Sequence, residues 1–165
     1  MASTLLKTLA SYVPALILQR VATEPAPLRA PATQRLPAVV LYADVMGFTL
    51  MAEQFAQQGP AGLEDLTNLL NAYFGQLVDL VMTHGGDVVK FAGDALVALW
   101  PASDEPLSTA AQRAAQCAIE IQQRFHEYQV AEGIRLSLRI GLGAGEVMAA
   151  HLGGIFGRWE FMLTG

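Results

Sequence analysis

The chain has 165 residues, of which 53% are hydrophobic and 15% charged, and its formal net charge is −5. This length favours a single domain with a sizeable core, and the apolar content excludes a chain that is disordered throughout. The single cysteine, Cys117, excludes an internal disulfide framework and a four-cysteine zinc site, and the acidic balance argues against nucleic acid as the main partner.

The N-terminal residues 1–20 predict a short helix that is broken near Pro14. Its longest apolar run, 9–18, is shorter than the roughly 18 residues that span a bilayer, and it lacks the pattern of a signal peptide. We therefore expect a helical leader, residues 1–21, that docks on an apolar surface of its own domain or of a partner domain. Contact with a membrane surface is the less favoured alternative. Without a membrane span and with one cysteine, the chain is expected to be cytoplasmic.

Residues 22–37 hold four of the chain's eight prolines, at positions 25, 27, 31 and 37. Proline fixes φ and lacks an amide donor, so this segment predicts an extended linker that is loosely ordered or held along a surface. The remaining residues, 38–165, are expected to form the main domain.

Residues 38–43 (AVVLYA) are apolar throughout, which predicts a strand that is buried on both faces and ends at Asp44. Thr49 is expected to cap a helix that runs to Ala56. After a break at Gly59–Pro60, a second helix with one broad apolar face follows and ends at the His-Gly-Gly run 84–86.

Two short β-rich runs, 87–91 and 95–100, are joined by the residues Ala92-Gly93-Asp94, which predicts a β-hairpin. The alanine-rich residues 107–130 predict a third helix. Within it, Cys117 is expected to be a buried and inert thiol.

The last part of the chain predicts strands at 134–144, 147–151 and 159–163, with a turn at Gly145–Glu146. The order of elements in the main domain is then β-α-α-β-β-α-β-β-β. We predict an α+β fold in which an antiparallel sheet carries helices on one face, in a ferredoxin-like arrangement.

Two carboxylates follow apolar strands: Asp44 ends the first strand, and Asp94 lies in the hairpin turn. If both reach one edge of the sheet, they repel each other unless a cation lies between them. Mg²⁺ prefers such oxygen ligands, and two ions about 3.5–4 Å apart suit phosphoryl or nucleotidyl transfer. Each residue also has a structural alternative, since Asp44 can cap a helix and Asp94 can form a simple turn. Their occurrence together favours the site.

The run Val45-Met46-Gly47-Phe48-Thr49 follows Asp44 and predicts a phosphate cradle. Gly47 allows the backbone to approach a polyphosphate, and the following helix offers free amides at its positive end. Lys90 lies inside an apolar strand, where it either binds an anion or a base edge or extends from an exposed face. The sequence leaves both alternatives for Lys90 open.

Three segments resemble the class III nucleotidyl cyclases: 41–49 (LYADVMGFT), 84–96 (HGGDVVKFAGDAL) and 140–147 (IGLGAGEV). The first two are similar to the metal-binding signatures of that family, and the third is similar to its glycine-containing strand pair. The KFAGDAL form and the Tyr12-Val13-Pro14 leader are most similar to the bicarbonate-responsive soluble adenylyl cyclases and their bacterial relatives.

The resemblance implies a two-metal conversion of ATP to cyclic AMP and pyrophosphate, in which catalysis is mainly positioning and charge neutralisation. It implies that Asp44, Asp94 and the carbonyl of Val45 hold Mg²⁺ or Mn²⁺. The expected nucleotide contacts are Met46, Gly47, Phe48, Thr49 and Gly93. It also implies a head-to-tail pair with a second cyclase domain, in the same polypeptide or in another, with sites at the interface.

The sequence departs from a complete enzyme of this family in two ways. It stops at Gly165, before the helix on which the family carries a catalytic Asn and Arg, so we expect a truncated fragment that is inactive alone. At the base-selecting position stands Met162, which cannot hydrogen-bond adenine with useful strength. By the pseudo-symmetry of the pair, Lys90 then faces the degenerate second site, where the soluble members accommodate bicarbonate.

Three functions stay open on the sequence. The leading hypothesis is the metal-bearing half of an adenylyl cyclase. A catalytically silent regulatory or dimerisation module is favoured by Met162 and by the missing segment. A guanylyl cyclase is the third hypothesis, because the metal-binding acids do not reveal which base is bound.

Overall fold

The computed structural model describes residues 2–131 and 133–165. Met1, which belongs to the predicted leader, lies outside the described residues. In chain order the elements are α1 (Ala2–Ala10), α2 (Ala15–Thr23), β1 (Ala32–Met46), α3 (Phe48–Ala56), α4 (Pro60–Thr83), β2 (Asp87–Ala92), β3 (Ala95–Pro101), α5 (Leu107–Phe125), β4 (Tyr128–Ala131), β5 (Ile134–Gly153), a 3-10 turn (Ile155–Gly157) and β6 (Trp159–Thr164). None of the helices in this part of the chain is long and apolar enough to cross a membrane.

The strands form one antiparallel sheet. Their order is β2-β3-β1-β5-β4, with β6 paired to β5, and each ladder is antiparallel. Helices α4 and α5 cover one face, and alternate residues of β1 point into the core beneath them: Val39, Leu41, Ala43 and Val45. The predicted α+β fold, with an antiparallel sheet that carries helices on one face, is confirmed.

The sheet face opposite α4 and α5 is here called the open face. It carries Val40, Tyr42 and Asp44 of β1, Val97 of β3 and Lys90 of β2. On β5, three alternate glycines lie opposite β1 residues of this face, at 141, 143 and 145. A Cβ atom on any of them would meet no atom of the described residues within 4 Å, so the backbone of β5 is not covered by them there.

The leader covers one end of the open face. A second buried cluster lies there, formed by Leu36, Ala38, Leu99, Val147 and Ala149. Leu16 of α2 and Phe161 of β6 pack against this cluster. The leader consists of two helices with a break over 11–14, and its second helix docks on the sheet of its own domain.

Strand β1 begins at Ala32, inside the segment 22–37 that was predicted as a linker. Residues 32–37 pair with 146–151 of β5. Pro37 is tolerated because the β1–β3 ladder begins only at Ala38, so the missing amide of Pro37 removes no hydrogen bond of that ladder. Its carbonyl accepts a hydrogen bond from the amide of Ala102 at 2.9 Å. Pairing with a long neighbouring strand orders this stretch, and local composition does not reveal such pairing. The division of the chain into leader, linker and main domain stays a prediction.

Two predictions for the C-terminal half are wrong. The turn at Gly145–Glu146 is absent, because both residues lie in the continuous strand β5 and pair with Ala38 and Pro37. The helix predicted to run to residue 130 ends at Phe125. The chain then turns with Glu127 at φ 48, and residues 128–131 pair with β5 as β4.

The ends of α4 and the state of Cys117 agree with the prediction. Helix α4 starts at Pro60 after Gly59 and is followed by Gly85 at φ 73, a conformation that favours glycine. Cys117 is fully buried in the core. Burial, together with the nearby charge of Glu120, raises the pKa of its thiol to about 11, so the thiol stays protonated and unreactive at neutral pH.

Candidate active site

The sheet brings Asp44 and Asp94 next to each other. Asp44 lies near the end of β1, opposite Ala95 of β3. Asp94 immediately precedes Ala95, in the two-residue turn of the β2–β3 hairpin. The carbonyl of Asp94 accepts a hydrogen bond from the backbone amide of Val45 at 3.3 Å. Two acidic residues that are far apart in the sequence are therefore backbone neighbours at the end of the β1–β3 ladder.

Asp44 belongs to the open face, because its neighbours Ala43 and Val45 are buried in the core on the other face. Asp44 itself is half-buried. Directly across the ladder with β5 lies Arg139, whose Nη2 atom is 3.9 Å from Sδ of Met46. Residues that face each other across a ladder have neighbouring side chains, so the Arg139 side chain starts from the position opposite Asp44, and its guanidinium lies against Met46.

Gly47 shapes the start of α3. It has φ 90, and a Cβ atom on it would lie 3.0 Å from the carbonyl oxygen of Arg135. Gly47 is the residue before the helix, and no described side chain caps it. The prediction that Thr49 caps this helix is therefore wrong: Thr49 lies exposed inside the first turn. The first amides of α3, beginning with Phe48, have no intrahelical partner and stay available to an anion.

The other predicted nucleotide contacts lie at the same end of the sheet. Met46 is exposed, and Phe48 is half-buried against the core. Gly93 precedes Asp94 in the hairpin turn with φ 66 and open space around its Cβ position. All five predicted contacts therefore lie close to Asp44 or Asp94 along the chain. The sheet brings the residues that follow Asp44 next to the hairpin turn that contains Gly93 and Asp94.

Lys90 and Met162 share a different recess of the open face. Lys90 lies opposite Val97 in the ladder with β3, and its Nζ atom is 3.7 Å from Oε1 of Glu160 on β6. The side chains of Lys90 and Met162 line a shallow cavity of about 110 Å³, whose lining includes neither Asp44 nor Asp94. Lys90 is exposed and paired with Glu160, and its binding of an anion or a base edge stays a prediction.

The donor set at the Asp44–Asp94 end consists of oxygen atoms. Within residues 2–131 and 133–165, no three His, Cys, Asp or Glu side chains cluster as a ready-made metal site. Two carboxylates and the carbonyl of Val45 suit a hard divalent cation such as Mg²⁺ or Mn²⁺. Such a set leaves positions on the ion for phosphate oxygens and water. The residues present therefore fit the ions that the resemblance implies.

Sequence reasoning missed Arg139. The signal was present, since Leu136 and Leu138 alternate with polar residues and are buried, which places Arg139 on the outer face of the strand. What the sequence did not reveal is the register that sets Arg139 opposite Asp44.

Comparison with known proteins shows which family has this fold. Residues 31–162 match the family model of the adenylate and guanylate cyclase catalytic domain. The chain is 37% identical over 119 residues to adenylate cyclase type 10 of Rattus norvegicus, a match that covers 71% of this chain and 7% of that protein. The chain thus spans a small part of the length of the curated relatives it matches.

Solved structures agree as well. The guanylyl cyclase Cya2 is 31% identical, with a TM-score of 0.63, over 80% of this chain and 65% of that chain. A bacterial light-regulated adenylyl cyclase superposes with a TM-score of 0.69 over 99% of this chain and 46% of that chain, at 21% identity. The match of the family model over most of the chain means that this protein belongs to the family of adenylate and guanylate cyclase catalytic domains.

Proposed function

We propose that this chain is the metal-bearing half of an adenylyl cyclase, which converts ATP to 3′,5′-cyclic AMP and pyrophosphate at the interface with a second cyclase domain. The observation that carries the proposal is the adjacency of Asp44 and Asp94 across the β1–β3 ladder. The similarity to adenylate cyclase type 10 favours ATP as the substrate. A cytoplasmic location stays a prediction from cysteine usage.

Asp44, Asp94 and the carbonyl of Val45 would hold two Mg²⁺ or Mn²⁺ ions. When bound, such ions neutralise the triphosphate and favour loss of the proton from the ribose 3′-hydroxyl. The chain's own part is to fix the ligands in advance. The pairing of Asp44 with Ala95 and the hydrogen bond from Val45 to Asp94 hold both acidic residues in place before substrate arrives.

The triphosphate would lie against the start of α3 and Arg139. The free amides that follow Gly47 and the positive end of the helix favour an anion. Arg139, opposite Asp44, offers a guanidinium to phosphate oxygens. In this position the 3′-oxygen attacks the α-phosphorus, the bond from that phosphorus to the bridging oxygen breaks, and pyrophosphate leaves.

The adenine base would be recognised by the second domain. Met162 offers a thioether, which is a weak acceptor and no donor. The open face offers a surface for that domain, because Val40, Tyr42 and Val97 lie there beside the bare backbone of β5. A head-to-tail pair would place the partner's base-reading groups opposite the acids of this chain.

The recess of Lys90 and Met162 would then belong to the degenerate second site of the pair. Its volume of about 110 Å³ suits a small anion such as bicarbonate. Glu160 competes for the Lys90 ammonium from 3.7 Å, so an anion would have to displace that carboxylate.

Two other functions each have an observation in their favour. Met162 at the expected base-selecting position favours a catalytically silent cyclase-like module. The 31% identity to the guanylyl cyclase Cya2 favours GTP as the substrate.

The test pairs this chain with a second cyclase domain that supplies the base-reading residues. Cyclic AMP formed from ATP and cyclic GMP formed from GTP are measured with Mg²⁺ and with Mn²⁺. Asp44→Asn and Asp94→Asn should each lower cyclic AMP formation by at least about 100-fold. Asp79→Asn is the matched control, because Asp79 is an exposed acid on the outer side of α4.

Each alternative predicts a different result. Full activity in either acid variant would remove the metal assignment. Preferential cyclic GMP formation would identify a guanylyl cyclase. If calorimetry detects no Mn²⁺-dependent binding of a non-hydrolysable ATP analogue by the pair, the chain is a silent module.

A further inference from the structure

Strands β2 and β6 meet on the open face although no described ladder joins them. Three strands, β3, β1 and β5, separate them in the sheet. Their contact is made by side chains: Lys90 and Glu160 form an ion pair at 3.7 Å, and Val89 and Phe161 line the same cavity. The shape of this part of the open face therefore depends on what holds the two strands together.

Helix α2 of the leader is fastened to β2 by Asp87. The backbone amide of Ala15 donates a hydrogen bond to Oδ2 of Asp87 at 2.7 Å. Pro14, the residue before the helix, has no side-chain group that could cap it. A residue 72 positions away therefore caps α2.

The same helix also touches β5 and β6. Leu16 packs with Phe161 on the second buried cluster. One turn later, Arg20 lines a cavity of about 480 Å³ together with His151 and Phe161. Helix α2 thus contacts β2 at its first turn and the β5–β6 pair along its length.

Strand β2 needs such support. It is an edge strand, and its ladder with β3 is interrupted by an irregularity between Val88 and Lys90. A bulge locally breaks the ladder and bends the strand. Lys90 itself pairs with Val97 beyond this irregularity, so the contact that holds Asp87 fixes the strand on the other side of the bulge, three residues before Lys90.

We propose that α2 is a clamp between β2 and β6, and that Asp87, by capping α2, is a positioning residue that sets the spacing of Lys90 and Met162 on the open face. Any effect of this clamp on the enzymatic reaction rests on the proposed cyclase function. The clamp itself is a property of the fold and can be tested without activity.

The first test is amide hydrogen exchange on the full chain. Asp87→Ala should raise exchange about fivefold or more in both 15–23 and 159–164, and should leave 107–125 in α5 unchanged. Asp87→Asn keeps an acceptor that is good at this position and should restore protection in both segments. Asp79→Ala, on the exposed side of α4, is the control.

A second variant tests the same hydrogen bond in case Asp87→Ala does not fold. Ala15→Pro removes the donated amide while Asp87 stays in place, and proline is favoured at the first position of a helix. Pro14 already has φ −53 and ψ 144, which suits a residue that precedes proline. Ala15→Pro should therefore raise exchange in 159–164 with α2 still helical by circular dichroism.

The second test uses the enzyme paired with its second domain. Asp87→Ala should raise the bicarbonate concentration that gives a half-maximal effect on cyclic AMP formation about three- to tenfold, with the KM for MgATP unchanged, and Asp87→Asn should restore it. Increased exchange confined to 15–23, or unchanged exchange in both segments, would overturn the clamp. An unchanged bicarbonate response with increased exchange in both segments would overturn the positioning role. Retained activity in Asp44→Asn would remove the metal assignment, and absence of cyclic AMP formation by the unsubstituted pair would refute the proposed function. Either result leaves the exchange result standing.

Discussion

Arg139 of β5 lies directly opposite Asp44 of β1 in the central ladder of the sheet. The pairing places an arginine, whose guanidinium lies against Met46, at the position opposite one of the two acids that we assign to metal binding. Two carboxylates at one sheet edge repel each other, and a neighbouring cation eases that repulsion. The same cation is placed to meet a triphosphate once divalent ions occupy the acids.

Arg139→Ala is expected to weaken substrate binding in the paired enzyme. Loss of a charge-assisted contact of about 1.5–3 kcal/mol corresponds to a rise of roughly 10- to 100-fold in the KM for MgATP. Steady-state kinetics measure the effect. Arg135→Ala is the control, because Arg135 is also exposed on β5 but pairs with Glu127 at 2.8 Å. An equal rise in KM for both variants would mean that general charge, and not position, is responsible.

The sequence alone predicts the strand and the hairpin that carry Asp44 and Asp94. It does not predict which distant residues lie next to these elements. The apolar run before Asp44 and the glycine turn before Asp94 are local signals, and the structure contains both the strand and the hairpin. The position of Arg139 depends on the register of β5 against β1. The cap on α2 depends on Asp87, a contact between distant segments. Local propensity carries no information on either contact.

The lengths of the strands also depend on long-range pairing that local composition does not reveal. Residues 32–37 have the composition of a linker, yet six residues of β5 pair with them. Gly145 has the composition of a turn, yet it continues β5 opposite Ala38. In both places tertiary pairing overrides local preference.

Tyr73→Phe is expected to stabilise the chain. Tyr73 is 1% exposed and packs edge-on against Phe125, with ring centroids 5.0 Å apart. Its hydroxyl has no hydrogen-bond partner among the described residues, and burial raises the pKa of the phenol above its ordinary value. Removal of an unsatisfied buried hydroxyl should raise the free energy of unfolding by about 1 kcal/mol, as measured by urea denaturation. Tyr42→Phe, at an exposed tyrosine, should have little effect. A loss of stability in Tyr73→Phe would mean that the hydroxyl is satisfied.

Gly86→Ala is expected to destabilise the end of α4. A Cβ atom there would lie 2.5 Å from Cζ2 of Trp100, and the Trp100 indole is held by a hydrogen bond to the carbonyl of His84 at 2.9 Å. Since the ring cannot retreat freely, overpacking should cost about 1–3 kcal/mol in the free energy of unfolding. Gly75→Ala is the matched control. A Cβ at position 75 meets nothing within 4 Å, and alanine in the middle of a helix should add about 0.5–1 kcal/mol. Equal effects of the two substitutions would contradict the contact.

Docking of the leader is expected to weaken at acid pH through His151. Burial, and to a lesser degree the Arg20 guanidinium, lower the pKa of this imidazole below its ordinary value of 6.5. Glu24, which follows α2, lines the same cavity as His151. Glu24 also forms an ion pair of 3.7 Å with Arg20. The folded state therefore binds the proton less readily than the unfolded state. The contribution of His151 to the free energy of unfolding is present above pH 6.5 and declines as the pH falls through 6.5 toward the lowered pKa of the folded state.

His151→Gln should flatten the dependence of this free energy on pH between about pH 5 and 7. His126→Gln, at an exposed histidine after α5, controls for loss of an imidazole. Hydrogen exchange at pH 7 and pH 5.5, corrected for the intrinsic rates, locates the effect: selective loss of protection in 15–23 supports the assignment, and uniform loss across the chain refutes it.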